Sequence, residues 1–479
     1  MKRIAKDKQP LPPRNPRSSS TDPADLSATE VARLVRNQKL SPVAVLEACL
    51  ARVEARNKEI NAVVTLNPRA MDEAKALERS IKRGTKQGPL AGVVVGIKDL
   101  TPVKGVRTTY GSLLYADNIP TEDALVVQRL RKAGAIILGK TNTPEFGAGA
   151  NTYNEVFGRT RNPHDLTKTS GGSTGGGAAG LATGMFALAE GTDLGGSLRI
   201  PASFCGVVGL RPSVGLVPTS PSEFTWDTLN VSGPMARTAA DVALMLQSIA
   251  GPSAFSPLTQ PMDGRDFVAA VRKGPKKGVR VAYCADIAGI GVDPSIEKAC
   301  RTAAFALRKA GARVDEIDFD LSFARASFMA IRSEWYVNWT YTRMDRADKF
   351  GANVAGNVKS GLAMNMHTLA GAEVARGQIW HKFRQFFEKY DHLVTPCVAV
   401  SPFPVEQNYP ETVAGKKMET YFDWFAPTYV LSVTGLPAGS VPCGLDAHGM
   451  PVGLQIVGRQ FGEEEVLALA RGVEIVTAR

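Results

Sequence analysis

Two serines in this chain stand in unusual company. Ser197, in GTDLGGSLRIPAS (191–203), follows two glycines and precedes Arg199 and Pro201; Ser173, in TSGGSTGGGAAG (169–180), has glycines on both sides. A seryl hydroxyl attacks a carbonyl only if it can lose its proton, so either serine needs a base within hydrogen-bond reach. Neither motif contains one of the five histidines (His164, His367, His381, His392, His448). The sequence offers Lys98 instead, near the end of the apolar run VVVGIKDL (93–100). Burial disfavours a charged ammonium and lowers its pKa, and a neutral amine is a competent general base. The glycines before Ser197 serve the same chemistry, because they let the N–H groups of Leu194, Gly195, Gly196 and Ser197 converge on a developing oxyanion.

Other uses of such glycines fit less well. No GK[ST] follows GGSTGGGAAG, which argues against a P-loop, and the stretch lacks the acidic residue a dinucleotide site would need. Six cysteines (Cys49, Cys205, Cys284, Cys300, Cys397, Cys443) show no CxxC spacing, and no HExxH occurs, so neither a metal nor another cofactor is implied. The formal charge of +11 suggests nucleic acid until it is located. Residues 1–20 hold Lys2, Arg3, Lys6, Lys8, Arg14 and Arg17 against Asp7 alone, and proline is frequent there. That reads as a basic, flexible tail over 1–22 preceding one large domain over 23–479. No apolar h-region follows the early lysines and no run of about 18 apolar residues occurs, so the reading is cytoplasmic, with no membrane and no nucleic-acid partner.

The elements that hold these residues follow from periodicity. Ser27 with Glu30 is a capping-box signature, and Ser41-Pro42 opens a second helix carrying Leu46, Leu50 and Val53 on one face. Residues 89–100 read as a strand, and 121–142 as helix, glycine stop and buried strand. The rhythm returns at 278–285 (strand) and 293–320 (helix, then strand), and 392–396 and 451–458 are again strands. Alternation of this kind predicts an α/β fold: one large domain with a central mixed β-sheet and helices on both faces. Residues 324–390 read as a mainly helical, aromatic-rich region on the substrate side.

Taken together, GIKDL (96–100), GGST (171–174) and GTDLGGSLRIPASFCG (191–206) resemble the amidase signature family of Ser–Ser–Lys hydrolases. The 75 residues between Lys98 and Ser173, and the 24 between Ser173 and Ser197, match family spacings. AGAIILGKTNTPEFG, GLRPSVGLVP, SGPMARTAADVALML and TGLPAGSVPCG are similar to further family landmarks, so the resemblance covers roughly residues 25–479. It implies that Ser197 is the nucleophile, that Ser173 sits in a cis peptide and relays the proton to Lys98, and that the amides of residues 194–197 hold the oxyanion. Asp193 and Arg199 would brace the loop by pairing with each other or with Ser173. Thr174 and Gly177 stand where many members carry serines, with Thr174 in a supporting position.

The glutamine-specific branch, the amidase subunit of the tRNA-dependent amidotransferase, holds the substrate amine with an acidic residue that falls here on Phe425, with Asp423 nearby. Phe425, and Trp380 from the aromatics of residues 324–390, are candidates for an apolar substrate pocket. The expected activity is hydrolysis of small aryl or alkyl amides, with anilides, esters and carbamates in reach of the same chemistry. The glutamine-hydrolysing subunit is the alternative. No protein partner is required, and a homodimer is left open.

Overall fold

A computed structural model describes residues 22–262 and 264–478; the basic segment of residues 1–20 lies outside them. The Ser27 hydroxyl accepts the Glu30 N–H at 3.1 Å and opens the helix Ala28–Arg36. Ser41 likewise caps Pro42–Ile60, whose proline occupies the first turn, where no N–H is needed. The glycine stop falls at Gly134 (φ +91°), between the helix Leu125–Lys132 and the strand Ile136–Thr141.

Eleven strands form one sheet: β1 (Val63–Leu66), β2 (Val94–Lys98), β3 (Ile136–Thr141), β4 (Leu188–Asp193), β5 (Val208–Arg211), β6 (Val231–Ala236), β7 (Arg280–Tyr283), β8 (Arg313–Glu316), β9 (His392–Pro396), β10 (Ala438–Leu445) and β11 (Pro451–Val457). Their order is β1-β3-β2-β4-β6-β5-β10-β11-β9-β7-β8. The triplets β3-β2-β4 and β8-β7-β9 are parallel, and the other pairings are antiparallel. The C-terminal strands β10 and β11 thus lie inside the mixed sheet, β10 against β5 and β11 against β9 of the second parallel triplet.

Helices flank the sheet and the core has two parts. An aliphatic part packs strands against helices such as Ala28–Arg36, Ala239–Ile249 and Glu463–Thr477. An aromatic part lies beneath Ala324–Thr340, Met366–Lys389 and Ala426–Ser432. Residues 324–389 are helical through most of their length. One helix has no sequence signature at all: Gly175–Ala182 is built from GGGAAGLA, a composition that disfavours helix. Close approach explains it, because a Cβ on Gly176 would stand 2.3 Å from Asn142 N and 2.6 Å from Ala62 O. Only a glycine lets this helix settle against the neighbouring backbone.

Candidate active site

Strands β2, β3 and β4 run parallel, so their carboxyl ends share one edge of the sheet, where open α/β folds place ligands. The β2–β4 ladder pairs Val95 with Leu188, Gly96 with Ala189 and Ile97 with Glu190, and ends there. The next amide, that of Lys98, donates to the Glu190 carboxylate at 3.3 Å. The Lys98 side chain is fully buried. Its Nζ lies 2.7 Å from Ser173 Oγ, 3.0 Å from Thr192 Oγ1 and 3.4 Å from the Thr192 carbonyl. Burial pushes the Lys98 ammonium down to about 7, against the opposing pull of the Glu190 and Asp193 carboxylates.

Ser173 is buried and its peptide bond to Gly172 is cis. The Thr174 N–H donates to the Ser197 carbonyl at 3.2 Å, which sets the two serine segments side by side. The Thr174 hydroxyl donates to the Thr192 carbonyl at 3.4 Å. Ser197 is half-buried, and with Ser173, Thr192 and Leu194 it lines a cavity of about 390 Å³.

Asp193 and Arg199 pair with each other and not with Ser173: Nε and Nη2 of Arg199 donate to the carboxylate at 3.0 and 2.9 Å. Arg199 also donates to the Thr428 carbonyl, Gln455 Oε1 and Ser432 Oγ, so every guanidinium N–H is taken. Burial alone would raise the Asp193 carboxyl, but Arg199, Arg211 and the Leu198 amide hold it well below the usual carboxylate range. One expectation is corrected here. The Gly196 N–H donates to Asp193 Oδ1 at 2.8 Å and is not free for an oxyanion, whereas the amides of Leu194, Gly195 and Ser197 take no acceptor among the described residues. Gly196 is required for shape instead: its φ is +132° and a Cβ would meet Thr428 Oγ1 at 2.3 Å.

A family model described as Amidase matches residues 44–467. The chain belongs to the amidase signature family. It is 40% identical to an acylamidase of Rhodococcus erythropolis over 94% of this chain and 95% of that one. A glutamyl-tRNA(Gln) amidotransferase subunit from Alkaliphilus metalliredigens is 34% identical over 90% and 92%. The crystal structure of a bacterial aryl acylamidase of the amidase signature enzymes superposes with a TM-score of 0.88 at 27% identity, covering 95% of this chain and 96% of that one. The amidase is thus a hydrolase acting on C–N bonds other than peptide bonds.

The wall of the amidase's cavity differs from the sequence expectation. Tyr110, Phe146, Phe224, Trp335, Tyr336 and Trp339 line it; Phe425 and Trp380 do not. Phe425 is buried in the aromatic core against the Ser197 loop, its ring edge-on to Tyr429 and within contact distance of a Cβ on Gly195. The turn Asp423–Phe425 that leads into Ala426–Ser432 directs it there. Trp380 follows the buried Ile379 on Met366–Lys389 and therefore points off the buried face, 36% exposed. Asp423 is also accounted for elsewhere, bound by Arg325 at 2.6 Å and by the Thr420 and Glu419 amides.

Sequence reasoning missed Thr192, Glu190 and Arg211. Thr192 lies inside the quoted GTDLGGS motif, directly before Asp193, and that place in the motif is the signal that could have found it. Among the described residues no helix is long and apolar enough to cross a membrane.

Proposed function

We propose that this amidase is a free-standing enzyme that cleaves small aryl or alkyl amides through a seryl acyl-enzyme. The observation that carries the reading is the fully buried Lys98 amine, 2.7 Å from Ser173 Oγ, beside the cavity that Ser197 lines. In the first step the Ser197 oxygen bonds to the carbonyl carbon, its proton passes to Ser173, and the Ser173 proton passes to Lys98. The amides of Leu194, Gly195 and Ser197 hold the resulting oxyanion. Collapse breaks the C–N bond as Lys98 returns the proton through Ser173 to the leaving nitrogen. Water then clears the acyl group by the same relay in reverse.

Six aromatic rings in the cavity wall favour a flat, apolar substrate portion. The superposed structure, that of an aryl acylamidase, agrees with this. Anilides, esters and carbamates are open to the same tetrahedral chemistry. The similarity to amidotransferase subunits favours glutamine as the second substrate class, but Phe425 and the Arg325-bound Asp423 leave the expected amine-holding position without a free carboxylate.

A hydrolysis screen over aryl amides, aliphatic amides, carbamates and free glutamine, with Ser197→Ala as blank, tests the proposal. Turnover of aryl amides with little glutamine hydrolysis is expected, and unchanged by EDTA. Glutamine as the preferred substrate would overturn it.

A further inference from the structure

Glu190 is a carboxylate with no part in the relay above, yet it is completely buried on β4, two residues before Thr192. It stands where the β2–β4 ladder stops, and both of its oxygens face donors. Oε2 accepts the Lys98 backbone N–H at 3.3 Å and Oε1 accepts the Thr101 hydroxyl at 3.0 Å. The Thr101 carbonyl in turn accepts from Lys140 Nζ, a second fully buried amine that lies 3.8 Å from Asp99 Oδ1.

We propose that Glu190 is a positioning residue for the Lys98 base: its ionised carboxylate fixes the lysine's main chain and supplies the negative charge that keeps the amine basic enough to take a proton from Ser173. This rests on the Ser–Ser–Lys reading and deepens it.

Charge count around the site supports the assignment. Buried around Lys98 are three basic groups, Lys140, Arg199 and Arg211, and three acidic ones, Asp99, Glu190 and Asp193. A carboxylate in such a place would ordinarily take up a proton, and burial does raise Glu190; Thr101, Lys140 and Lys98 oppose that. Among the described residues the charges acting on Lys98 are Glu190 and Asp193, and Asp193 is already engaged by two arginines. Of the two, Glu190 acts more strongly on the amine.

The test is the pH dependence of kcat/KM for an aryl amide with Glu190→Gln and Glu190→Asp. Gln keeps the shape and can still accept a hydrogen bond, but carries no charge. The expected result is an acid limb displaced toward lower pH by roughly one unit in Glu190→Gln, a lower plateau at alkaline pH from the weaker base, and KM within about twofold of wild type. Glu190→Asp, which keeps the charge, is expected to restore the limb most of the way. A uniform loss at every pH with the limb unmoved in Glu190→Gln would overturn the proposal, as would an equal displacement in Glu190→Asp. If Glu190→Gln does not fold by circular dichroism, the Glu190→Asp profile decides: a limb within a few tenths of a unit of wild type supports the charge role, and a full-unit displacement rejects it. Full activity in Lys98→Ala would reject the relay itself; an inactive Lys98→Ala with an unmoved Glu190→Gln limb rejects only the role of Glu190.

Discussion

A neutral amine has one lone pair and two N–H groups, and the surroundings of Lys98 supply one partner for each. The Thr192 carbonyl can only accept, the Thr192 hydroxyl can accept as well, and the remaining contact, Ser173 Oγ, is then the donor to the lone pair. This is the arrangement a base needs before it receives a proton. Because the lysine is held down to about 7, its base form grows as pH rises through neutrality, so kcat/KM is expected to climb across that region and not to fall. Lys98→Ala and Ser197→Ala are each expected to lose at least about 10³-fold in turnover with the fold intact, since residues acting as a unit fail together. Ser173→Ala is expected to lose less, as a water can take the place of its hydroxyl. Progress curves with matched circular dichroism spectra check all three.

At the scale of elements, two parallel strands and one aromatic helix divide the work. Strand β2 delivers Lys98 and strand β4 delivers Thr192, and the loop after β4 carries Ser197; their pairing stops at Ile97–Glu190, which leaves room for the amine between them. The helix Ala324–Thr340 supplies Trp335, Tyr336 and Trp339 to the cavity wall. Phe146 lies 4.4 Å from the Trp339 ring centroid to centroid, and the Arg343 guanidinium covers that indole at 4.4 Å. Trp339→Ala is expected to raise KM for an aryl amide about two- to twelvefold, from the loss of roughly 0.5–1.5 kcal/mol of ring contact, and to leave KM for a short aliphatic amide nearly unchanged. Steady-state kinetics on the two substrates in parallel read the difference. Strand β4 was not read in the sequence as a strand, whereas strand β2 and the helical character of residues 324–390 were legible there. Which turn of which helix faces the cavity was not: Trp380 and Trp339 both sit in aromatic, helical sequence, and only the packing of Met366–Lys389 through Ile379, Phe383 and Phe386 turns Trp380 outward.

Across the whole molecule, the loop that carries Ser197 is tied to segments far apart in the chain. Arg199 joins Asp193 to Thr428 and Ser432 on the helix Ala426–Ser432 and to Gln455 on β11, while Arg211 on β5 reaches the Asp193 carbonyl and the Ser432 carbonyl. Arg199→Met is expected to cost about 3–5 kcal/mol, because the buried Asp193 charge loses its bidentate partner; a urea midpoint shift measures it. Arg199→Lys is not expected to rescue, since one ammonium cannot satisfy the five contacts a planar guanidinium makes. The amino-acid sequence by itself pointed to the α/β class and the family and singled out Lys98, Ser173 and Ser197 as candidates, because motif chemistry, helix caps and strand runs are local and their intervals can be counted along the chain. Only the tertiary structure decided which amides remain free for an oxyanion, which aromatics line the cavity, and that Glu190 lies beneath Lys98. Those depend on how a carboxylate, a helix face or a strand end is oriented by neighbours tens to hundreds of residues away, and no local pattern records that.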